Sequence, residues 1–176
     1  MKSYSYLLNY IEGLRKQGKY LFLKKEALQT LGVSSRALQN SVWRLSKKGK
    51  ICYLKKGLYQ IIPVEYESTG SLPPEWIIHD LMAHLGIPYY IGLLSAASFY
   101  GAAHQALQIF QVICQKKIPD LSLGKIKICF YGSKEFDVIP TQDLKTPAGY
   151  VKISTPEGTA FDLMRYLHQS GHLNHV

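Results

Sequence analysis

The segment from residue 33 to residue 60 constrains the fold of this 176-residue chain more than any other stretch. It reads VSSRALQNSVWRLSKKGKICYLKKGLYQ. Two adjacent serines at its start are good N-caps for a helix that extends to about Lys48. Two short apolar strands, residues 50–54 and 57–62, then flank a Lys-Lys-Gly turn. The segment therefore predicts a helix that leads directly into a β-hairpin.

Two further helices are expected before this segment. The first runs from about Tyr4 to Lys16, because apolar residues recur there at helical spacing. The second runs from about Lys24 to Leu31, and Gly32 suits the left-handed position that ends a helix. The order helix, helix, tight turn, helix, hairpin is that of a winged helix-turn-helix, which we place at residues 1–65.

The positive charge of the chain is concentrated in the same region. Residues 1–62 contain 13 Lys and Arg and two acids, a formal charge of +11. Residues 63–176 contain 8 Lys and Arg and 10 acids, a charge of −2, so the first third carries all of the net +9. This asymmetry is typical of a polyanion-binding module joined to a near-neutral one. A basic surface that serves solubility alone is the alternative.

The third helix has an apolar face and a face of cations and amides. Leu38, Val42 and Leu45 recur at i, i+4, i+7 and form the apolar side. On the other side, Arg pairs well with guanine and Asn or Gln with adenine, and later cations meet phosphates. With the capping serines and the hairpin tip, the predicted DNA-binding residues are Ser34, Ser35, Arg36, Gln39, Asn40, Trp43, Arg44, Lys47, Lys48, Lys55 and Lys56.

Within that set, the expected roles differ along the helix. Arg36, Gln39 and Asn40 lie in the first turns, the part of a recognition helix that usually meets base edges. The lysines of the hairpin tip are expected to reach the DNA backbone or the minor groove. Trp43 has two open interpretations, because its position suits packing against the wing as well as contact with DNA.

The remainder of the chain is expected to form a second domain. A segment rich in Pro, Ser and Gly, PVEYESTGSLPP at 63–74, places the boundary near residues 65–72. Residues 72–176 then alternate helical and strand patterns, which predicts a small mixed α/β domain and an α+β fold class for the whole chain. The final helix is expected from Pro156 to about His168, with Phe161, Leu163 and Leu167 facing inward.

The second half carries no recognisable catalytic constellation. We find no phosphate-binding glycine loop and no nucleophile elbow. Asp80 and Asp162 are single acids on helices, where surface or capping roles are expected. His168 and His172 have i, i+4 spacing, but a glycine interrupts the helix between them. The sequence predicts no enzyme, no catalytic residue, no metal site and no cofactor.

The sequence also bears on the cellular compartment. Three widely spaced cysteines match no metal or redox spacing, which favours a reduced chain. No apolar run is long enough to cross a membrane, and polar residues interrupt the N-terminal apolar pattern. We expect a cytoplasmic protein with no membrane partner.

Three patterns in the right order carry a resemblance to a known family. The wing reads Lys56-Gly57-Leu58-Tyr59, a helix at 95–101 has the form S-A-A-x-x-x-G, and a helix at 156–163 has the form P-E-x-T-x-x-D-L. Together they resemble the AbiEi antitoxins of type IV toxin–antitoxin systems, and the resemblance spans almost the whole chain.

The chain departs from the family pattern at three places. Tyr100 stands where a histidine is common, and Gly158 stands where Arg or Lys is common. Relatives usually continue with more helices after the segment 171–175, which favours a chain shortened at its C-terminus.

The resemblance implies a transcriptional repressor of its own operon, linked to phage abortive infection. Its first domain would bind double-stranded DNA at inverted repeats in its promoter, as a monomer or weak dimer. Its second domain would counter a nucleotidyltransferase toxin without an obligate tight complex.

Two other readings stay open from the residues themselves. One is a winged-helix regulator whose second domain senses a small molecule, with Tyr89, Tyr90, Phe99 and Tyr100 lining a pocket. The other is an enzyme acting on nucleic acid, which would require a carboxylate cluster or a metal set that the sequence does not offer.

Overall fold

The computed structural model describes residues 2–102 and 108–169, which form two compact units. The first contains residues 1–77 and 123–125, and the second contains residues 78–122 and 126–176. The domain boundary at residues 65–72 stays a prediction. His104, His172 and His175 lie outside the described residues. The spacing of His168 and His172 noted in the sequence therefore falls partly outside them.

The first unit begins with three helices and a small antiparallel sheet. The elements are α1 (Lys2–Lys16), β1 (Leu21–Leu23), α2 (Lys24–Leu31), α3 (Ser35–Lys47), β2 (Ile51–Lys55) and β3 (Leu58–Ile61). The strands lie in the order β1-β3-β2. Strand β1 was not predicted, because three apolar residues before a helix carry no period-2 pattern of their own.

One hydrophobic core holds these elements together. It combines Leu7 and Ile11 of α1, Phe22 of β1, and the predicted apolar face of α3. Leu38 and Leu45 are fully buried, and Val42 is nearly so. Burial of the whole apolar stripe fixes the rotation of α3 about its axis, so its opposite face is turned to solvent.

The wing hairpin turns through two residues, Lys56 and Gly57. Both have positive φ, at 48° and 78°, as the central residues of a type I′ turn require. Glycine adopts this conformation without strain, whereas Lys56 carries a Cβ in it. The backbone N–H of Lys24, at the start of α2, donates to the carbonyl of Gly57 at 2.9 Å. This hydrogen bond anchors the hairpin tip to the first turn of α2.

The segment predicted as a linker is ordered and carries two 3-10 turns, Val64–Tyr66 and Pro74–Trp76. The Trp76 ring lies 5.4 Å from that of Tyr20 and 5.6 Å from that of Tyr66. These aromatic contacts dock the segment onto the first unit.

The second unit is built on a six-stranded mixed sheet in the order β6-β7-β5-β4-β9-β8. Strands β5 and β7 are parallel, as are β4 and β9, and the β4–β5 and β8–β9 pairs are antiparallel. The bounds are α4 (Ile78–Leu85), β4 (Tyr89–Ile91), α5 (Leu93–Phe99), β5 (Ile109–Cys114), β6 (Leu121–Leu123), β7 (Ile126–Gly132), β8 (Thr141–Thr146), β9 (Gly149–Ser154) and α6 (Pro156–Arg165). The α+β class is confirmed.

The inward face of α6 differs from the prediction. Phe161 is 60% exposed, and the buried side consists of Gly158, Thr159, Asp162 and Leu163. The apolar pattern was misleading here because two of the inward residues, Thr159 and Asp162, are polar, and each has at least one hydrogen-bond partner inside the fold. Among the described residues, no helix is both long and apolar enough to span a bilayer.

Gly158 gives a stability test of this face. A Cβ at this position would lie 3.0 Å from Ile139 Cγ2 and 3.0 Å from the carbonyl oxygen of Pro140. We therefore expect Gly158→Lys, which restores the residue type common in the family, to destabilise the second unit by about 1–3 kcal/mol through overpacking. Chemical denaturation followed by circular dichroism measures this.

Ala160→Lys is the matched control, because Ala160 is exposed on the same helix. It should change stability by less than about 0.5 kcal/mol. Equal stability of Gly158→Lys and the wild type would contradict this. It would show that the 139–140 segment moves to accommodate the new side chain at no cost in stability.

Candidate nucleic-acid interface

The polar face of α3 is solvent-exposed along its whole length. All of the predicted residues on the helix and at its cap are exposed: Ser34, Ser35, Arg36, Gln39, Asn40, Trp43, Arg44, Lys47 and Lys48. The fold therefore presents them together on one surface, which we call the α3 face. At the wing, Lys56 is exposed and Lys55 is half-buried.

The two serines at the start of α3 have different positions. Ser34 is the N-cap, and its hydroxyl oxygen accepts a hydrogen bond from the N–H of Ala37 at 3.3 Å. Ser35 is the first residue of the helix and is exposed. Ser34 thus has a structural role in starting the helix. In a contact with DNA, its hydroxyl would have to serve both as the cap and as the contact.

The three residues predicted to meet base edges are not equally available. Arg36 and Asn40 make no ion pair and no side-chain hydrogen bond with another described residue. Gln39 differs, because its Oε1 accepts a hydrogen bond from Lys24 Nζ at 3.2 Å. Bidentate pairing of Gln39 with adenine would require this bond to break. Lys24 adds a cation beside the α3 face that the helix pattern alone did not indicate.

Trp43 lies beside a basic hollow and is not covered by the wing. Its side chain is 60% exposed, and Lys47 Nζ lies 6.0 Å from its ring centre. Lys48 Nζ lies 5.2 Å from the ring of Tyr4 on α1. The hollow between these side chains has a volume of about 320 Å³. Aromatic rings flanked by cations suit a sugar–phosphate backbone, whose anionic groups the cations can neutralise.

The cations of this region do not occur in the ion pairs of the described part of the chain. The ion pairs that the structure shows there join Lys127 to Asp120, Lys152 to Asp143 and Arg165 to Glu135. All three lie beyond residue 100, and no acid occurs between Glu26 and Glu65. The cations of α3 and the wing therefore form no ion pair in the described part of the chain and favour an anionic partner.

The family-like residues of the second unit have internal partners. Ser95 Oγ accepts from the N–H of Gln111 at 2.8 Å, and Gln111 Oε1 accepts from the N–H of Leu94 at 2.9 Å. Ser95 and Gln111 are both buried. This pair ties the start of α5 to strand β5, so Ser95 of the S-A-A helix has a structural role in the core.

The P-E-x-T helix is anchored in the same way. Thr155 is its N-cap and accepts from the N–H of Gly158 at 3.2 Å. The hydroxyls of Ser154 and Thr159 lie 2.7 Å apart, and Thr159 donates to the Thr155 carbonyl at 2.8 Å. Tyr100, at a departure from the family pattern, donates to the Ser154 carbonyl. These bonds join α5, β9 and α6.

Asp162 was predicted at the surface or in a cap, and this was wrong. It is 1% exposed, and its Oδ1 accepts from the Tyr90 hydroxyl at 3.3 Å. Its Oδ2 has no hydrogen-bond partner among the described residues. Burial raises the pKa of the Asp162 carboxyl to about 6. Burial, together with the nearby Asp162, also raises the pKa of the Tyr90 hydroxyl. A single acid in a helix pattern gives no sign of such burial.

The described residues contain no cluster of metal-ligating side chains. No cluster of three or more His, Cys, Asp or Glu side chains occurs there in a geometry that could hold a metal ion. The three cysteines are free. Burial raises the pKa of the Cys52 and Cys114 thiols to about 11, so both are protonated at neutral pH.

Comparison with known proteins finds a family match largely within the second unit. Residues 90–176 match the family model described as the AbiEi antitoxin C-terminal domain. No curated protein matches the chain. The crystal structure of the RV2827C protein from Mycobacterium tuberculosis is similar, with a TM-score of 0.63 and 16% sequence identity.

This structural likeness covers 90% of the chain and 60% of the mycobacterial one. At 16% identity it shows a shared fold alone. The family match confirms the resemblance seen in the sequence and supports an antitoxin role. Over residues 90–176, just under half of its length, the chain is similar to the AbiEi antitoxin family.

Proposed function

We propose that this protein is a DNA-binding repressor that acts as the antitoxin of a type IV toxin–antitoxin operon. It represses its own promoter through the first unit and counters a nucleotidyltransferase toxin through the second. The observation that carries the DNA-binding half is the α3 face, whose predicted cations and amides are exposed while the back of the helix is buried. The antitoxin half rests on the family match.

Several features support a winged helix-turn-helix in the first unit. The helices and the hairpin follow in the expected order, and the sheet order β1-β3-β2 places the hairpin strands side by side. The α2–α3 connection is short, and Gly32, with φ 58°, ends α2 in the left-handed conformation. In such a domain the recognition helix enters the major groove and the wing contacts the adjacent backbone.

The mechanism follows from the positions of the side chains. Lys and Arg on α3 and the wing neutralise phosphates and release counterions, which supplies most of the affinity and makes it salt-dependent. Arg36 and Asn40, exposed in the first turns of α3, read base edges. Lys24 and Gln39 form a bonded pair at the edge of this surface, and DNA binding redirects the lysine to a phosphate and frees the amide.

A promoter–reporter assay tests the repressor half in cells. The protein's own upstream region drives a reporter, and co-expression of the protein is expected to lower its output. A variant with Arg36, Asn40 and Arg44 all replaced by alanine should lose repression while the protein remains folded, since all three are exposed. Unchanged output with the wild-type protein would contradict autorepression.

The antitoxin half needs a separate assay, in which the nucleotidyltransferase gene of the same operon is expressed with and without this protein. Rescue of growth by the wild type is expected. Rescue by the α3 triple variant is expected as well, when both genes are driven from an external promoter. Failure of the wild type to rescue would contradict the antitoxin assignment.

A further inference from the structure

A groove of about 580 Å³ lies within the second unit and has no part in the proposed DNA binding. One wall is the end of α4 and the residues after it, including Met82, Ile87 and Pro88. The other wall is the segment before β8, with Phe136 and Ile139. Tyr89 of β4 forms part of the lining between them. The volume is within the range of small-molecule sites in proteins.

The interior of the groove is apolar, and contacts with neighbouring residues hold its aromatic side chains in place. Tyr89 is only 8% exposed, and its hydroxyl lies 3.4 Å from His79 Nδ1 within hydrogen-bond distance. Burial raises the pKa of the Tyr89 hydroxyl, so the ring carries no charge at neutral pH. Phe136 packs against the buried Tyr90 with ring centres 5.3 Å apart. These contacts give a lining that suits a flat, apolar body.

The lining also includes groups of both charges. Asp137 is exposed and has no ion-pair partner among the described residues. Lys152 pairs with Asp143 at 2.9 Å, and both side chains are about half exposed. An exposed pair of this kind is worth about 0–1 kcal/mol, so it offers little resistance to an additional partner. The Lys152 ammonium has three donors, which leaves two for a ligand.

We propose that this groove binds a small zwitterion with an aromatic body, the chemistry of a free aromatic amino acid. The apolar lining takes the ring, Asp137 accepts from the ammonium group, and Lys152 donates to the carboxylate. The sequence raised a sensing pocket lined by Tyr89, Tyr90, Phe99 and Tyr100, but only Tyr89 of these lines the groove. Tyr90 is in the core and Tyr100 is hydrogen-bonded to Ser154.

Three probes that share one ring system test the charge requirement on the full chain. L-Tryptophan carries both charges, tryptamine has only the ammonium group, and indole-3-propionate has only the carboxylate. Isothermal titration calorimetry should show that tryptophan binds at least about tenfold more tightly than either analogue. Each analogue lacks one hydrogen bond to a charged group, which accounts for a difference of this size. Equal affinities, or no binding of tryptophan at millimolar concentration, would overturn the proposal.

Variants then locate the site. Asp137→Asn should abolish the advantage of tryptophan over indole-3-propionate, and Lys152→Gln its advantage over tryptamine. Ala83→Trp places a large ring at an exposed position in the groove and should remove binding. Ala160→Trp, exposed on α6 outside the groove, is the matched control and should bind like the wild type. Tryptophan binding that survives Ala83→Trp unchanged would place the ligand elsewhere and overturn the proposal.

Discussion

Replacing Arg36 with alanine is expected to weaken the preference of the protein for its own promoter. Arg36 is exposed in the first turn of α3 and has no ion pair among the described residues. A bidentate arginine–guanine pair contributes about 1–3 kcal/mol of discrimination, so promoter affinity should fall by roughly 5- to 150-fold. Affinity for a scrambled duplex should change far less. Fluorescence anisotropy with labelled duplexes measures both.

Lys47→Ala is the informative contrast to Arg36→Ala. Lys47 lies in the last turn of α3, where contact with phosphate is expected. Its loss should weaken both duplexes about equally and reduce the magnitude of the log–log salt slope by about 0.9, one phosphate contact. Lys145→Ala removes an exposed lysine from β8 of the second unit and serves as the control for net charge. Intact specificity in Arg36→Ala would show that the recognition surface is placed wrongly.

Asp162 is expected to make the second unit less stable as the pH rises. Its folded-state pKa is about 6, above the usual value near 3.8 that an unfolded chain retains. Between these values the folded state binds more protons than the unfolded state, so the free energy of unfolding falls with rising pH. The full contribution is present below about pH 3.8 and is lost above about pH 6, a difference of roughly 3 kcal/mol.

Asp162→Asn should remove this pH dependence. The asparagine Oδ1 can still accept from the Tyr90 hydroxyl, and any cost of its unpartnered amide is the same at every pH. The stability of the variant relative to the wild type should therefore rise between pH 4 and pH 7. Asp80→Asn, at an exposed position on α4, is the control and should parallel the wild type. Parallel curves for Asp162→Asn and the wild type would contradict the raised pKa.

The probe for this experiment has to report on the second unit. Both tryptophans, Trp43 and Trp76, lie in the first unit. Tryptophan fluorescence therefore reports the unfolding of the first unit and not that of the second. Far-UV circular dichroism or calorimetry detects both units. The same division is useful, because fluorescence shows separately whether the first unit is unaffected.

The elements with strong local signals were predictable from the sequence. Helix α2 has the predicted bounds, Lys24–Leu31, because apolar spacing and Gly32 mark its extent. The exposed face of α3 was predictable because an apolar stripe at helical spacing fixes the opposite side. The hairpin was predictable from two apolar runs around a Lys-Lys-Gly turn.

The elements that depend on distant partners were not predictable. Strand β8, TQDLKT, is mostly exposed and polar, and it is a strand because β9 pairs with it along its length. Pairing of this kind is decided by tertiary context and not by local preference. Asp162 is similar, because only the packing of α6 against Tyr90 shows that it is buried.

The same limit applies at the interface. Spacing along α3 indicated which residues share the exposed face, but it could not show that Lys24 from another helix holds Gln39. Nor could it show that Tyr4 and Trp43 flank one hollow. Contacts between elements far apart in sequence require the fold, and they decide which of the exposed side chains are free to meet DNA.

Binding of the protein to its own upstream DNA and to a scrambled duplex, at two salt concentrations, tests the central claim most directly. The proposal predicts that the upstream DNA binds about 10³-fold more tightly or better, with affinity falling steeply as salt rises. Weak and equal binding to both duplexes would contradict sequence-specific repression by the α3 face.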